Sequence, residues 1–176
     1  MPTNVEIKAR IRDWQRAQQI AGQLADQPPQ IIEQLDTFFV CSTGRLKLRE
    51  FSAGRGELIA YEREDVEGAK ASRYLIAPTA EPAPLREVLS RALGPAGTVK
   101  KRRHLFLAGQ TRIHLDEVEG LGTFLELEVV MKPGQPLAEG EQIARDLMRK
   151  LGVRPEDLIA GAYVDLLKAP TFPTAP

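Results

Sequence analysis

Five stretches of this chain place charges at every second position, four of them with apolar residues between. They run through Val5-Glu6-Ile7-Lys8-Ala9-Arg10-Ile11, Arg45-Leu46-Lys47-Leu48-Arg49, residues 99–107 with Lys101 and Arg103, residues 111–118 with Arg112, His114 and Asp116, and residues 124–131 with Glu126 and Glu128. Period two is the signature of a β-strand, in which residues two apart share a face about 7 Å from each other. Four of them therefore have one ionic face and one apolar face, while in 99–107 Lys100 and Arg102 charge the second face as well. Helices can pack on the apolar face. The ionic face has two possible fates. On an open sheet it lies in water and adds only weak cross-strand pairs. If the sheet curls, it lines an interior, and buried charge there demands partners of opposite sign.

The rest of the chain supplies enough elements for closure. Further strands are expected at 34–40, 58–63 and 72–77, with turns at Ser42-Thr43-Gly44, Gly54-Arg55-Gly56 and Ala108-Gly109-Gln110. Trp14, Ala17, Ala21 and Leu24 recur at helical spacing after Asp13, a fitting N-cap, and the helix ends before Pro28-Pro29. Pro78 to Pro84 reads as a connector into a helix on Leu85, Val88, Leu89 and Leu93, stopped by Gly94-Pro95. Two more helices are expected, at 139–151 and at about 156–168, the last with Ile159, Ala162 and Leu166 on one face. Strands in hairpin-like succession with segregated helices define an α+β protein with an antiparallel sheet. Eight such strands are enough for a barrel with room inside for side chains or a small ligand. Residues 1–168 make one domain, and 169–176, APTFPTAP, read as a disordered Pro-rich tail.

Composition narrows the classes. Lys plus Arg and Asp plus Glu both total 24, so the net charge is zero, which argues against a general binder of nucleic acid or membrane surfaces. One cysteine, Cys41, excludes an internal disulfide, and beside Val40 it reads as a small core residue. There is no apolar run of the ~20 residues that span a bilayer, and MPTNVEIKARIR lacks the apolar segment of a signal peptide, so cytoplasmic is the default. No P-loop and no GxSxG elbow occur. His104 has the opposite parity to Lys101 and Arg103, and both it and His114 read as hydrogen-bonded structural residues. Trp14 reads as core. Glu126 and Glu128 have the spacing of a glycosidase pair, but their basic surroundings point to phosphate.

An interior with this inventory has a natural guest. Arg and Lys clamp phosphate oxygens. Paired carboxylates hold Mg²⁺ or Mn²⁺. A phosphate chain with a divalent metal satisfies both.

The segments NVEIKAR, QLDTFF, GRLKLRE, LIAYERED, VKKRRHLF, TRIHLDEVEGLG and FLELEVV, in this order from about residue 4 to 167, resemble the CYTH superfamily of triphosphate tunnel metalloenzymes. That superfamily includes class IV adenylyl cyclases, thiamine triphosphatases and inorganic triphosphatases. The resemblance implies an eight-stranded antiparallel tunnel that takes a triphosphate with Mg²⁺ or Mn²⁺. It assigns Lys8, Lys47, Arg49, Arg63, Lys101, Arg103 and Arg112 to the phosphates, and Glu6, Asp116, Glu126 and Glu128 to the metal. Lys8 and Glu6, the last two positions of the ExExK signature, are the expected catalytic pair. Arg63 is assigned less directly, because the parity of LIAYER leaves Glu62 as the alternative. The first Glu of the signature is Asn4 here, which offers an oxygen but no charge. The expected activity is metal-dependent hydrolysis of a triphosphate: inorganic, thiamine or nucleoside. The alternatives are cyclisation of ATP and a nucleotide- or polyphosphate-binding module without turnover. The expected partner is a small molecule rather than nucleic acid or membrane, and similar proteins allow a homodimer.

Overall fold

In the computed structural model, which describes residues 1–168, the chain closes on itself as an eight-stranded antiparallel barrel. In chain order the elements are β1 (Thr3–Arg10), α1 (Trp14–Leu24), β2 (Gln30–Phe39), β3 (Arg45–Phe51), β4 (Gly56–Arg63), β5 (Lys70–Thr79), α2 (Pro82–Leu93), β6 (Pro95–Ala108), β7 (Thr111–Val118), β8 (Gly122–Val130), α3 (Leu137–Lys150), a 3-10 turn (Pro155–Asp157) and α4 (Tyr163–Lys168). The strand order around the barrel is β1-β5-β4-β3-β2-β6-β7-β8. With eight strands in a ring, β1 stands opposite β2 and β8 opposite β3. The expected Pro-rich tail at 169–176 lies outside the described residues.

The apolar core lies outside the barrel, between strands and helices. Val5, Ile7, Ile113, Leu115, Leu125, Leu127 and Val129 turn outward and are covered by Ala17 and Ala21 of α1 and by Ala144 and Leu147 of α3. Burying each of the large side chains contributes about 1.5–3 kcal/mol, and the alternation then forces the charges inward. Asp13 caps α1 by accepting from the backbone N–H of Arg16. Close approach of α3 depends on Gly140, where a Cβ would sit 2.9 Å from Val5 Cγ2. A second apolar cluster, with Phe38, Val99, Val118, Phe124, Ile159, Ala162, Tyr163 and Val164, closes one end of the barrel.

Three local expectations are corrected. The helix predicted over 156–168 is broken. After the 3-10 turn, Leu158 bridges to Ala9 and the Ile159 N–H donates to the Lys8 carbonyl, so the chain crosses the barrel end as an extended strap. Gly161, at φ +77°, then turns it into α4. The Pro78–Pro84 connector is instead the end of β5 and the start of α2, because proline is tolerated at the first helical turn and Pro78 falls near the strand's end. Cys41 is exposed, not core; it lies beyond the end of β2, where its thiol points to the Gly44 carbonyl.

Candidate active site

The ionic faces of β1, β3, β6, β7 and β8 converge on one cavity of about 290 Å³. Its lining includes Glu6, Lys8, Lys47, Arg49, Arg63, Lys101, Arg103, Arg112, Glu126 and Glu128. Parity on β4 is settled: Arg63 faces inward with Tyr61 and Ile59, while Glu62 is exposed.

One wall is basic. Asp36 on β2 is 2% exposed and gathers three cations. Arg49 donates to it through Nε and Nη2 at 2.8 and 2.9 Å, Lys47 Nζ at 2.9 Å, and Lys101 Nζ lies 3.5 Å away. Burial opposes its ionisation, but Arg49, Lys47 and Lys101 outweigh that and hold the carboxyl well below the usual range. Burial, reinforced by Arg103, lowers Lys101 to about 7. An anion in the cavity would restore its charge.

The opposite wall pairs carboxylates with cations. Lys8 Nζ lies 3.1 Å from Glu126 Oε1, and Arg103 Nη2 lies 2.7 Å from Glu126 Oε2. Arg112 Nε donates to Glu128 Oε2 at 2.9 Å, and Arg63 Nη1 to Glu6 Oε2 at 3.0 Å. Burial and the nearby Glu128 raise Glu6 despite Arg63, which makes it a carboxylate of this wall disposed to hold a proton. Burial works against Glu128 too, but His114 in its protonated form, Arg112 and Arg103 bring it to about 2.

The group of side chains that the structure brings together and that could hold a metal is not identical with the expected set. Ligand atoms of His114, Glu126 and Glu128 lie within 4.8 Å of one another. His114 Nδ1 is buried without a hydrogen-bond partner, at 3.8 Å from both carboxylates, contrary to the structural role read from sequence. Burial and Arg103 lower the His114 pKa, so the ring is neutral and keeps a lone pair. An orphaned imidazole nitrogen facing two carboxylates fits a divalent cation, and small rotations would bring the three onto one ion. Asp116, expected among the metal ligands, shares the inward face of β7 with His114 but is covered within the barrel, at 0% exposure, and does not line the cavity. Its oxygens are taken by Arg103 Nε and Nη2, at 2.7 and 2.6 Å, and by the Tyr163 hydroxyl at 3.0 Å. Asn4 does line the cavity, and its Oδ1 is buried and unpartnered.

Two residues of the site escaped the sequence reading. Asp36 sits in QLDTFF, where no charge alternation marks it. Tyr163 was absorbed into the apparent helix; the signal for it was Gly161, two residues earlier. The strap also reaches the cavity rim, where the Gly161 carbonyl accepts from Lys8 Nζ at 3.2 Å and Arg63 Nη2 at 3.1 Å.

The fold is thus a closed barrel with its apolar core outside and its charged side chains, of both signs, turned onto one internal cavity. The sequence pattern of the CYTH domain matches residues 2–163, and the chain belongs to that family. Among solved structures, the PH1012 protein of Pyrococcus horikoshii is 27% identical, with a TM-score of 0.82 over 93% of this chain and 99% of that one. A protein of Vibrio parahaemolyticus described as a candidate adenylate cyclase shares the fold at 19% identity and TM-score 0.78, over 94% of this chain and 98% of that one. So does HpAC1 from Hippeastrum, a candidate adenylyl cyclase described as having a dominant triphosphatase activity, at 14% identity and TM-score 0.66, over 94% and 95%. Among curated proteins, none matches this chain.

Proposed function

We propose that this protein is a divalent-metal-dependent hydrolase of a triphosphate-containing substrate: inorganic triphosphate, thiamine triphosphate or a nucleoside triphosphate. The observation that carries the reading is the placement of Lys47 and Arg49 on β3 across one small cavity from Glu126 and Glu128 on β8, with Lys101 and His114 lining the same cavity from the strands between them. Seven Lys and Arg side chains against five carboxylates line that cavity, a surplus of positive charge in a chain with none overall. Lys47, Arg49, Lys101 and Arg103 grip phosphate oxygens, with Arg63 and Arg112 on the flanks. Glu126, Glu128 and His114 hold the metal, and an imidazole in the set favours Mn²⁺ over Mg²⁺. The metal supplies charge neutralisation at the phosphates and polarisation of a water. Glu6, already inclined to hold a proton, accepts one from the attacking water, and Lys8 beside Glu126 carries charge on the transferring phosphoryl group. Phosphoryl transfer asks for little beyond such positioning and electrostatics. The partner is a small molecule, since the cavity admits no duplex, and the site of action is cytoplasmic. No helix among the described residues is long and apolar enough to cross a membrane.

The test is a panel of tripolyphosphate, thiamine triphosphate and ATP, each with Mg²⁺ or Mn²⁺, followed by product analysis. Release of inorganic phosphate is the expected result. Cyclic AMP with pyrophosphate would replace hydrolysis by cyclisation, and binding without turnover would leave a binding module.

A further inference from the structure

We infer that Tyr163 is a positioning residue of this tunnel, which fixes the two cations that hold Glu126 and thereby sets the metal affinity of the site. The inference rests on the triphosphate and metal reading above and brings the C-terminal strap into the site. Tyr163 is 4% exposed and reaches Glu126 by two routes. Its hydroxyl donates to Asp116 Oδ2 at 3.0 Å; Asp116 in turn holds Arg103 through both oxygens, and Arg103 Nη2 reaches Glu126 Oε2 at 2.7 Å. Its ring lies under Lys8 Nζ, 4.0 Å from the centroid, and Lys8 reaches Glu126 Oε1 at 3.1 Å. Lys101 Nζ is 5.3 Å from the same ring. Both oxygens of Glu126 are thus oriented by cations that contact Tyr163 directly or through one carboxylate.

The strap holds the ring in place. Leu158 and Ile159 pair with the backbone of Ala9 and Lys8, the Gly161 carbonyl is held by Lys8 and Arg63, and Asp165 accepts from the Ala162 N–H and pairs with Arg45 at 2.8 Å. Packing of Tyr163 against Phe124, with ring centroids 5.0 Å apart, would be served as well by phenylalanine. The hydroxyl is the atom that separates positioning from packing, because a buried phenol is retained at a cost unless its hydrogen bond matters.

The experiment uses the full chain as wild type, Tyr163→Phe, Tyr163→Leu and, as a packing control in the same cluster, Val164→Ala. Mn²⁺ affinity is read by electron paramagnetic resonance, tripolyphosphate affinity in EDTA by calorimetry, and folding by thermal melting. Tyr163→Phe is expected to weaken Mn²⁺ binding about three- to tenfold while leaving metal-free tripolyphosphate affinity within about twofold. Tyr163→Leu, which also loses the ring beneath Lys8, is expected to weaken both by about three- to thirtyfold. Val164→Ala is expected to lower the melting temperature and leave both affinities within about twofold. Wild-type Mn²⁺ affinity in Tyr163→Phe, or an equal loss in Val164→Ala, overturns the role given to Tyr163, and the Phe variant suffices if the Leu variant does not fold. A wild-type protein that binds neither probe refutes the triphosphate reading itself.

Discussion

Replacing Asp36 by Asn keeps the shape of the side chain and removes the one anion shared by Lys47, Arg49 and Lys101. Three cations then face each other on a wall where Asp36 is 2% exposed and Lys101 is 4% exposed. Removing one partner from a buried ionic cluster costs about 3–5 kcal/mol, because the remaining charge is left uncompensated. At about 2–4 °C per kcal/mol for a chain of this length, the melting temperature falls by about 6–20 °C. The pH dependence has a definite sign. The folded carboxyl sits well below its usual range, so its stabilisation is present above the unfolded value near ~3.9 and is lost as pH falls through the folded value. The gap between wild type and Asp36→Asn therefore narrows toward acid. Tripolyphosphate supplies the missing negative charge to the same three cations, so it raises the melting temperature of the variant more than that of the wild type. Thermal melting followed by circular dichroism, with and without the anion, measures all of this. A variant that melts within about 2 °C of wild type, or an anion shift no larger than in wild type, would refute the claim that Asp36 assembles a phosphate-binding wall.

Three further outcomes follow from the same geometry. Lys47→Ala or Arg49→Ala weakens tripolyphosphate binding by about 1–3 kcal/mol per lost charged contact, and calorimetry showing unchanged affinity in both removes them from the site. Because burial and Arg103 lower Lys101 to about 7, its charge is lost as pH rises past that value. Metal-free tripolyphosphate affinity should fall between about pH 7 and 9 in wild type and fall less in Lys101→Gln, with equal slopes as the contrary result. Asn4→Glu adds a carboxylate two residues from Glu6 on the same strand face, so it lowers the melting temperature without metal, and Mn²⁺ restores part of the loss. An indifferent response to Mn²⁺ would place residue 4 outside the metal shell.

The inward set on β1, β3, β7 and β8 was legible because a strict period of two writes each face into the sequence, whereas on β6 the unbroken charge from Lys100 to Arg103 leaves the parity of Lys101 and Arg103 to the resemblance. The bounds of β7 at Thr111–Val118 and the capped start of α1 at Asp13 were legible for similarly local reasons. What failed depended on contacts distant in sequence. On β2 the inward positions are Gln34, Asp36 and Phe38 and the outward ones include Thr37 and Phe39, so both faces mix polar and apolar residues and neither parity stands out. The stretch 156–168 has helical apolar spacing, yet strap pairing with Ala9 and Lys8 and the left-handed turn at Gly161 override it. That His114 Nδ1 stands unpartnered while Asp116 is fully paired was hidden as well. Both lie on one face of β7, and only the Arg103 and Tyr163 contacts show that Asp116 is already occupied.

The most direct measurement is a crystal structure of the protein grown with tripolyphosphate and Mn²⁺, using anomalous scattering to locate the metal. Phosphoryl oxygens are expected within hydrogen-bond distance of Lys47, Arg49 and Lys101, and the Mn²⁺ peak beside Glu126, Glu128 and His114. An anion bound only on the outer surface, or a metal peak away from that triplet, would contradict it.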